Sequence, residues 1–217
     1  GAGIITGSNE RSVLMAAYRF MYELGCRYLY PGADGEKIPV RSLDYKDLKV
    51  SVGHDSRLTA EVLKAAICDA FNHLGVEVID CGLASTPAMF MSTIFEDFKC
   101  DGAIMITASH LPFNRNGFKY FDKDGGLNKA DITAIIRNAE SLELPETIET
   151  ATPKKADLIA TYSERLRKKI IAEVNHPTCY EKPLTGLRIV VDAGNGAGGF
   201  YAKQILEPLG AEITGSQ

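Results

Sequence analysis

From Leu48 onward the chain alternates short unbroken apolar runs with longer stretches where apolar residues recur every three or four positions. LKVSVG (48–53) predicts a strand, and Thr59 to Leu74 an amphipathic helix capped by Thr59, with Val62, Ala65, Ala66, Ala70 and Phe71 inward. Gly75 stops that helix, and VEVIDCG supplies the next strand, centred on 76–80. Thr86-Pro87 opens a helix expected to run through Phe95, since proline is tolerated in a first turn. DGAIMITAS (101–109) is too apolar to alternate, as in a strand covered on both faces of a parallel sheet, here over 101–107. Asn116-Gly117 marks a turn, FKYFD (118–122) returns as a strand, and Ala130 to Glu140 forms a helix.

On the N-terminal side, residues 10–24 place Val13, Ala16, Ala17, Phe20, Met21 and Leu24 on one helical face, and CRYLYPG reads as a short strand with a turn. On the C-terminal side, residues 141–157 are polar and hold proline and threonine, which predicts a linker. Leu158 to Val174 follows as a helix with Leu158, Ile159, Tyr162, Leu166 and Ile170 on one face. LRIVVD (187–192) is then a strand, GNGAGG a turn, Gly199 to Leu209 a helix, and Ala211 the start of a last strand. The rhythm predicts an α/β fold: a three-layer α/β/α domain on a mainly parallel, mixed sheet, then the truncated start of a second, similar domain. The expected divisions are an atypical segment at 1–44, the first domain at 45–145, a linker at 146–157 and the second unit at 158–217.

Composition removes several function classes. A net charge of -4 with no basic run excludes a nucleic-acid partner, and no apolar stretch is long enough for a membrane span. The first residues lack the basic and apolar regions of a signal peptide. Five cysteines, odd in number and scattered without a C-x-x-C pair, fit reduced thiols, so a cytoplasmic location is expected.

The candidate chemistry sits at Thr107-Ala108-Ser109-His110-Leu111-Pro112, at the end of the buried strand, where open α/β sheets put their ligands. Asn116-Gly117-Phe118-Lys119 turns the chain back, so that the Lys119 amine returns to the same mouth. A hydroxyl, an imidazole and an amine on one loop suit phosphoryl transfer, which needs positive charge around the equatorial oxygens and a base for the accepting hydroxyl. A Ser-His pair taken alone is more often a polar loop bonded to its own backbone. A serine hydrolase is excluded, because G-x-S-x-G is missing around Ser109.

Four segments in order carry a resemblance. T-A-S-H-x-P with N-G-F-K is similar to the phosphoserine loop of the α-D-phosphohexomutases (phosphomannomutase/phosphoglucomutase). Gly53-His54-Asp55-Ser56-Arg57 resembles that family's G-R-D-x-R segment, CGLASTPAMF its G-x-x-x-T-P segment, and VVDAGNGAGG the opening of its second domain. The resemblance implies that Ser109 carries a phosphoryl group, adding roughly -1.5 to -2 charge, and exchanges it with a hexose monophosphate through a hexose 1,6-bisphosphate. It implies Mg²⁺ on a phosphoserine oxygen, so that Ser109 is the one metal contact, through its phosphate. Lys119 and His110 become the base and acid candidates, with Arg57, Thr107 and Asn116 near the phosphate. For Arg57 a structural pair with Asp55 is an equal alternative.

Other family segments are missing. No G-T-D-G-I-R-G occurs in residues 1–47, where 12–39 instead bear a faint similarity to a glycoside hydrolase N-terminal accessory domain. The D-G-D-x-D-R metal loop, the sugar-selecting G-E-x-S-G-H loop and the phosphate-clamping loop of the last domain are also missing, so the chain is expected to be a catalytically incomplete fragment. A competing reading takes Gly194, Gly196 and Gly199 as the G-x-G-x-x-G of a nucleotide-binding module, for which Glu212 arrives early as the ribose-binding acid.

Overall fold

The computed structural model describes residues 47–141 and 147–215. The helix expected at 10–24 and the segment 12–39 lie outside them. The β-branched run after Leu48 forms β1 (Lys49–His54), followed by α1 (Ala60–His73), β2 (Glu77–Leu83), α2 (Thr86–Met91), β3 (Gly102–Ile106) and β4 (Phe118–Asp122). Then come the two-residue β5 (Gly125–Gly126), α3 (Lys129–Ser141), the two-residue β6 (Lys154–Lys155) and α4 (Leu158–Val174). The sheet runs β5-β4-β3-β1-β2-β6. β1 pairs parallel with β2 and β3, β2 with β6, while β4 joins β3 antiparallel. The fold is the expected mixed, mainly parallel α/β arrangement.

Period-two alternation sorts each strand onto two cores. Val50, Val52, Ile104, Ile106 and Phe118 pack under α1 and α3 through Leu63, Ile67, Phe71, Ile132 and Ile135. On the other face, Ile79, Ala103, Met105 and Phe121 meet Ala88 and Met89 of α2 and Leu158, Ile159 and Tyr162 of α4. β3 is buried at every residue and lies inside the sheet, which explains why its sequence does not alternate.

Four local expectations change. In α1, Val62 is 52% exposed and Ala65 is exposed, while Leu63 and Ile67 are buried. The larger side chains of the neighbouring stripe take the core. Thr59 stands at the start of α1 without capping it, because its hydroxyl accepts from the Asn116 amide instead. α2 ends at Met91 rather than Phe95, where the Ser92 and Thr93 hydroxyls donate back to the carbonyls of Met89 and Phe90 and the chain unwinds into turns. The helix expected at 199–209 is a 3₁₀ turn (Ala197–Gly199) followed by a π turn (Tyr201–Leu206).

The stretch expected as a linker carries β6, and the Ala151 amide donates to Asp69 of α1 at 2.6 Å. α4, expected to open the second unit, lays Leu158, Ile159 and Tyr162 on the first sheet and also contacts the π turn. Beyond it, β7 (Arg188–Val190) and β8 (Glu212–Thr214) form a separate parallel pair.

Candidate active site

The loops leaving β1 and β3 meet at the carboxyl end of the sheet, joined first through the backbone: the Asp55 amide donates to the Ile106 carbonyl at 3.1 Å. Asp55 Oδ2 then accepts from the Thr107 hydroxyl at 2.6 Å and from Arg57 Nε at 3.0 Å. Thr107 Oγ1 in turn accepts from the Ser109 amide at 3.0 Å. The Arg57 guanidinium also donates to four loop carbonyls: Ser109 at 2.7 Å, Leu111 at 3.0 Å, Pro112 at 2.7 Å and Arg115 at 2.9 Å.

Ser109 lies at the rim, exposed, with a left-handed backbone at φ 54°. Such a φ is uncommon for a residue with a Cβ and, in a loop this heavily bonded, reads as imposed geometry. β3 is interior rather than at an edge and Ser109 is not covered by a helix, so the loop is open to a ligand.

The site residues expected from sequence divide into two groups. Arg57, Thr107 and Ser109 are joined through Asp55 in one hydrogen-bonded network. Asn116, at the far end of the loop, donates from Nδ2 to the Thr59 hydroxyl. His110 and Lys119 stand apart from that network: His110 is exposed, and Lys119 is half-buried opposite Met105 in the β3–β4 register. That register returns the Lys119 position to the strand end from which Ser109 emerges.

Sequence reasoning missed a second polar cluster one strand away. Lys64 Nζ pairs with Glu61 Oε2 at 2.8 Å and with Asp80 Oδ2 at 3.1 Å. His54 Nδ1 donates to the Asp55 carbonyl at 2.7 Å, and its Nε2 stands 3.0 Å from Glu61 Oε1 without hydrogen-bond alignment. The signal was the i,i+3 spacing of Glu61 and Lys64 on α1. An open cleft of about 430 Å³ beside this cluster is lined by Glu61, Lys64, Asp80, Gly82, Lys155 and Asp157; Ser109 does not line it. Within the cleft Lys64 is already engaged by Glu61 and Asp80, whereas the serine loop presents an exposed hydroxyl, so the loop is the better candidate for chemistry.

Among the described residues no group of three or more His, Cys, Asp or Glu side chains is placed to hold a metal ion. They do not form a Mg²⁺ cage by themselves. No helix among them is long and apolar enough to cross a membrane.

The three glycine amides of the G-x-G-x-x-G pattern are already bonded within the chain, the Gly199 amide to the Gly196 carbonyl at 3.4 Å. The Gly194 amide donates to Asp192 Oδ1 at 2.9 Å and the Gly196 amide to the Ala193 carbonyl at 2.7 Å. Gly194 and Asn195 are both left-handed, at φ 55° and 57°, which makes this a tight reversal. No α-helix follows whose N-terminus a pyrophosphate would meet.

Residues 38–145 match the family model described as phosphoglucomutase/phosphomannomutase, alpha/beta/alpha domain I. The phosphoglucosamine mutase of Corynebacterium jeikeium (strain K411) is 37% identical over 165 residues, which cover 75% of this chain and 35% of that protein. That of Thermoanaerobacter sp. (strain X514) is 34% identical over 170 residues, 76% of this chain and 35% of that protein. The chain thus spans about a third of these relatives' length. A phosphoglucomutase/phosphomannomutase family protein from Burkholderia thailandensis superposes with a TM-score of 0.68 at 23% identity, over 99% of this chain and 43% of that one, which is a likeness of fold.

Proposed function

Because the chain belongs to the α-D-phosphohexomutase family, we propose that its Ser109 loop is the phosphoryl-carrying part of a hexose-phosphate mutase. Ser109 Oγ would take the phosphoryl group of a hexose 1,6-bisphosphate, forming an O–P bond as the sugar-oxygen–phosphorus bond breaks. The reverse transfer would return it to the other hydroxyl of the hexose monophosphate. The supporting observation is the left-handed, exposed Ser109 held between the Thr107 hydroxyl and the Arg57 guanidinium at the mouth of the sheet.

Lys119 and His110 are proposed as the acid–base pair: His110 follows Ser109 directly and is exposed, and Lys119 stands opposite Met105 near the end of β3 from which Ser109 emerges. Positive charge there would also offset the dianion that Ser109 would carry. Thr107, Asn116 and Arg57 shape the loop. Mg²⁺ belongs to the proposal for the whole enzyme, and no step described here depends on it. Glucosamine phosphate is the first hexose phosphate to test, because the relatives matched are phosphoglucosamine mutases.

The test joins this chain to the remaining domains of a phosphoglucosamine mutase and compares the parent with Ser109→Ala and Lys119→Ala. Loss of the carrier is expected to abolish turnover, whereas removing a general base costs about 10²–10⁴-fold. Full activity in Ser109→Ala, with phosphate recovered on another residue by mass spectrometry, would overturn the proposal.

A further inference from the structure

We infer that Arg57 is a positioning residue: with Asp55 it forces the left-handed backbone of Ser109, and it does so from behind the loop instead of binding the substrate's phosphate. The inference deepens the proposed role of Ser109 and rests on it only for its functional meaning.

Where the guanidinium spends its donors carries the argument. Its five hydrogen bonds all run into the protein, one to Asp55 Oδ2 and four to loop carbonyls. At most one Nη2 hydrogen is left, and the side chain is 7% exposed. A cation so occupied cannot also form the bidentate fork that makes arginine a phosphate ligand.

The carbonyls of Leu111, Pro112 and Arg115 converge on the single atom Nη1. Three such dipoles turned toward one point repel each other unless a cation fills the space. Arg57 therefore sets the curvature of residues 109–115. A planar five-donor fork spans these acceptors, and the three donors of a lysine ammonium radiating from one point do not.

Both sides of Ser109 are tied to the same pair. Its carbonyl accepts from Arg57 Nη2, and its amide donates to Thr107 Oγ1, whose hydroxyl is held by Asp55 Oδ2, the oxygen that also accepts from Arg57 Nε. Closing that ring of bonds leaves Ser109 little room except the left-handed region. The Oγ of a left-handed residue leaves the chain in a direction that a right-handed or extended one does not share.

The test is amide NMR and hydrogen exchange on the chain itself, with no sugar phosphate present. In the parent, the Ser109 amide is expected to be protected, with chemical shifts and a three-bond coupling of the left-handed region. In Arg57→Ala the Ser109 and Arg115 amides should exchange at least tenfold faster and that signature should vanish, while Val52 and Ile104 in the sheet keep their protection. Guanidinium ion below denaturing concentrations should restore the signature in Arg57→Ala, and Arg57→Lys should not match the parent. If Arg57→Ala also loses Val52 and Ile104, Arg57→Lys decides the question in an intact fold. An unchanged Ser109 signature in either folded variant overturns the inference. Separately, mass spectrometry of the parent joined to a mutase's remaining domains asks whether Ser109 takes a phosphoryl group, so a failed carrier role and a failed positioning role are distinguishable.

Discussion

Lys64 Nζ stands 3.1 Å from Asp80 Oδ2, an ion pair between α1 and β2 whose side chains are 11% and 7% exposed. Replacing Lys64 by Met leaves the Asp80 carboxylate with only the Gly82 amide, which donates to its Oδ1 at 2.9 Å. Breaking one side of a buried pair costs about 3–5 kcal/mol, so urea titration of Lys64→Met should lose about 3 kcal/mol, the low end because the cleft beside it is open. Replacing both partners by apolar residues should recover much of the loss, which a double-mutant cycle would read.

The same cluster sets a pH window. Glu61 is held below its ordinary carboxylate value of 4.5, first by the hydrogen bond from Lys64. Burial is the largest single influence on Lys64 and acts downward, but the hydrogen bonds to Glu61 and Asp80 more than offset it and raise the ammonium above 10.5. A lowered carboxylate stabilises above its unfolded value and loses that as pH falls through the folded one. A raised ammonium stabilises below its unfolded value and loses that as pH rises through the folded one. This pair's own contribution to stability should therefore be flat between these limits. Its acid edge should be shallow, because the Glu61 side chain is 69% exposed. Lys64→Met should remove this pair's share of both edges in a series of thermal melts, leaving on the alkaline side the fall due to the buried thiols.

Gly53 is a packing glycine. A Cβ there would come within 2.5 Å of Met89 Sδ and 3.2 Å of Ala84 Cβ, where α2 crosses β1. Met89 is fully buried, so its sulfur has little space to retreat. Gly53→Ala is expected to cost about 1–3 kcal/mol by overpacking, and a double-mutant cycle should show it costing less in a Met89→Ala background than in the parent.

The backbone of Ser109 offers a test of conformation apart from chemistry. Ser109 is exposed, so substitution there changes few packing contacts. Ser109→Gly should be as stable as the parent or up to about 1 kcal/mol more stable, since glycine meets no penalty in the left-handed region. Ser109→Val should lose about 1–2 kcal/mol for the opposite reason. Equal midpoints for the two variants would contradict the imposed geometry.

Three thiols should be inert in the folded chain. Burial pushes Cys68 up to about 12 and Cys100 up to about 11, and raises Cys81 further. Cys179 is half-buried. Iodoacetamide at mildly alkaline pH should label Cys179 well before these three, and peptide mapping would read the order, because the thiolate is the reacting form.

How much of this was legible in the sequence depended on the kind of interaction. The apolar run of β3 was readable because it rests on a local rule. The turn expected at Asn116-Gly117 lies instead at Phe113-Asn114, where the Arg115 amide donates to the Pro112 carbonyl at 2.9 Å, and Gly117 pairs with Thr107 beside the sheet. The buried stripe of α1 was not: Val62 and Leu63 are both apolar, and only the sheet beneath decides which is covered. Thr59 misled for the same reason, since its hydroxyl found a long-range partner in Asn116. At the candidate site, the exposed place of Ser109 beyond the end of β3 was legible from its strand and loop. The collar of carbonyls around Arg57 was not, because backbone acceptors leave no mark on residue identity.

The docking of α4 has a consequence for how the chain folds as it is made. Leu158, Ile159 and Tyr162 complete the apolar face that α2 covers only in part. A nascent chain released as far as β4 would hold its serine loop and all the central strands, yet show Met105 and Phe121 on a half-covered face. Vectorial synthesis therefore places the sheet's completion late, after a segment that follows the loop by some distance in sequence, and the interval between them is when this fold is most open to chaperones.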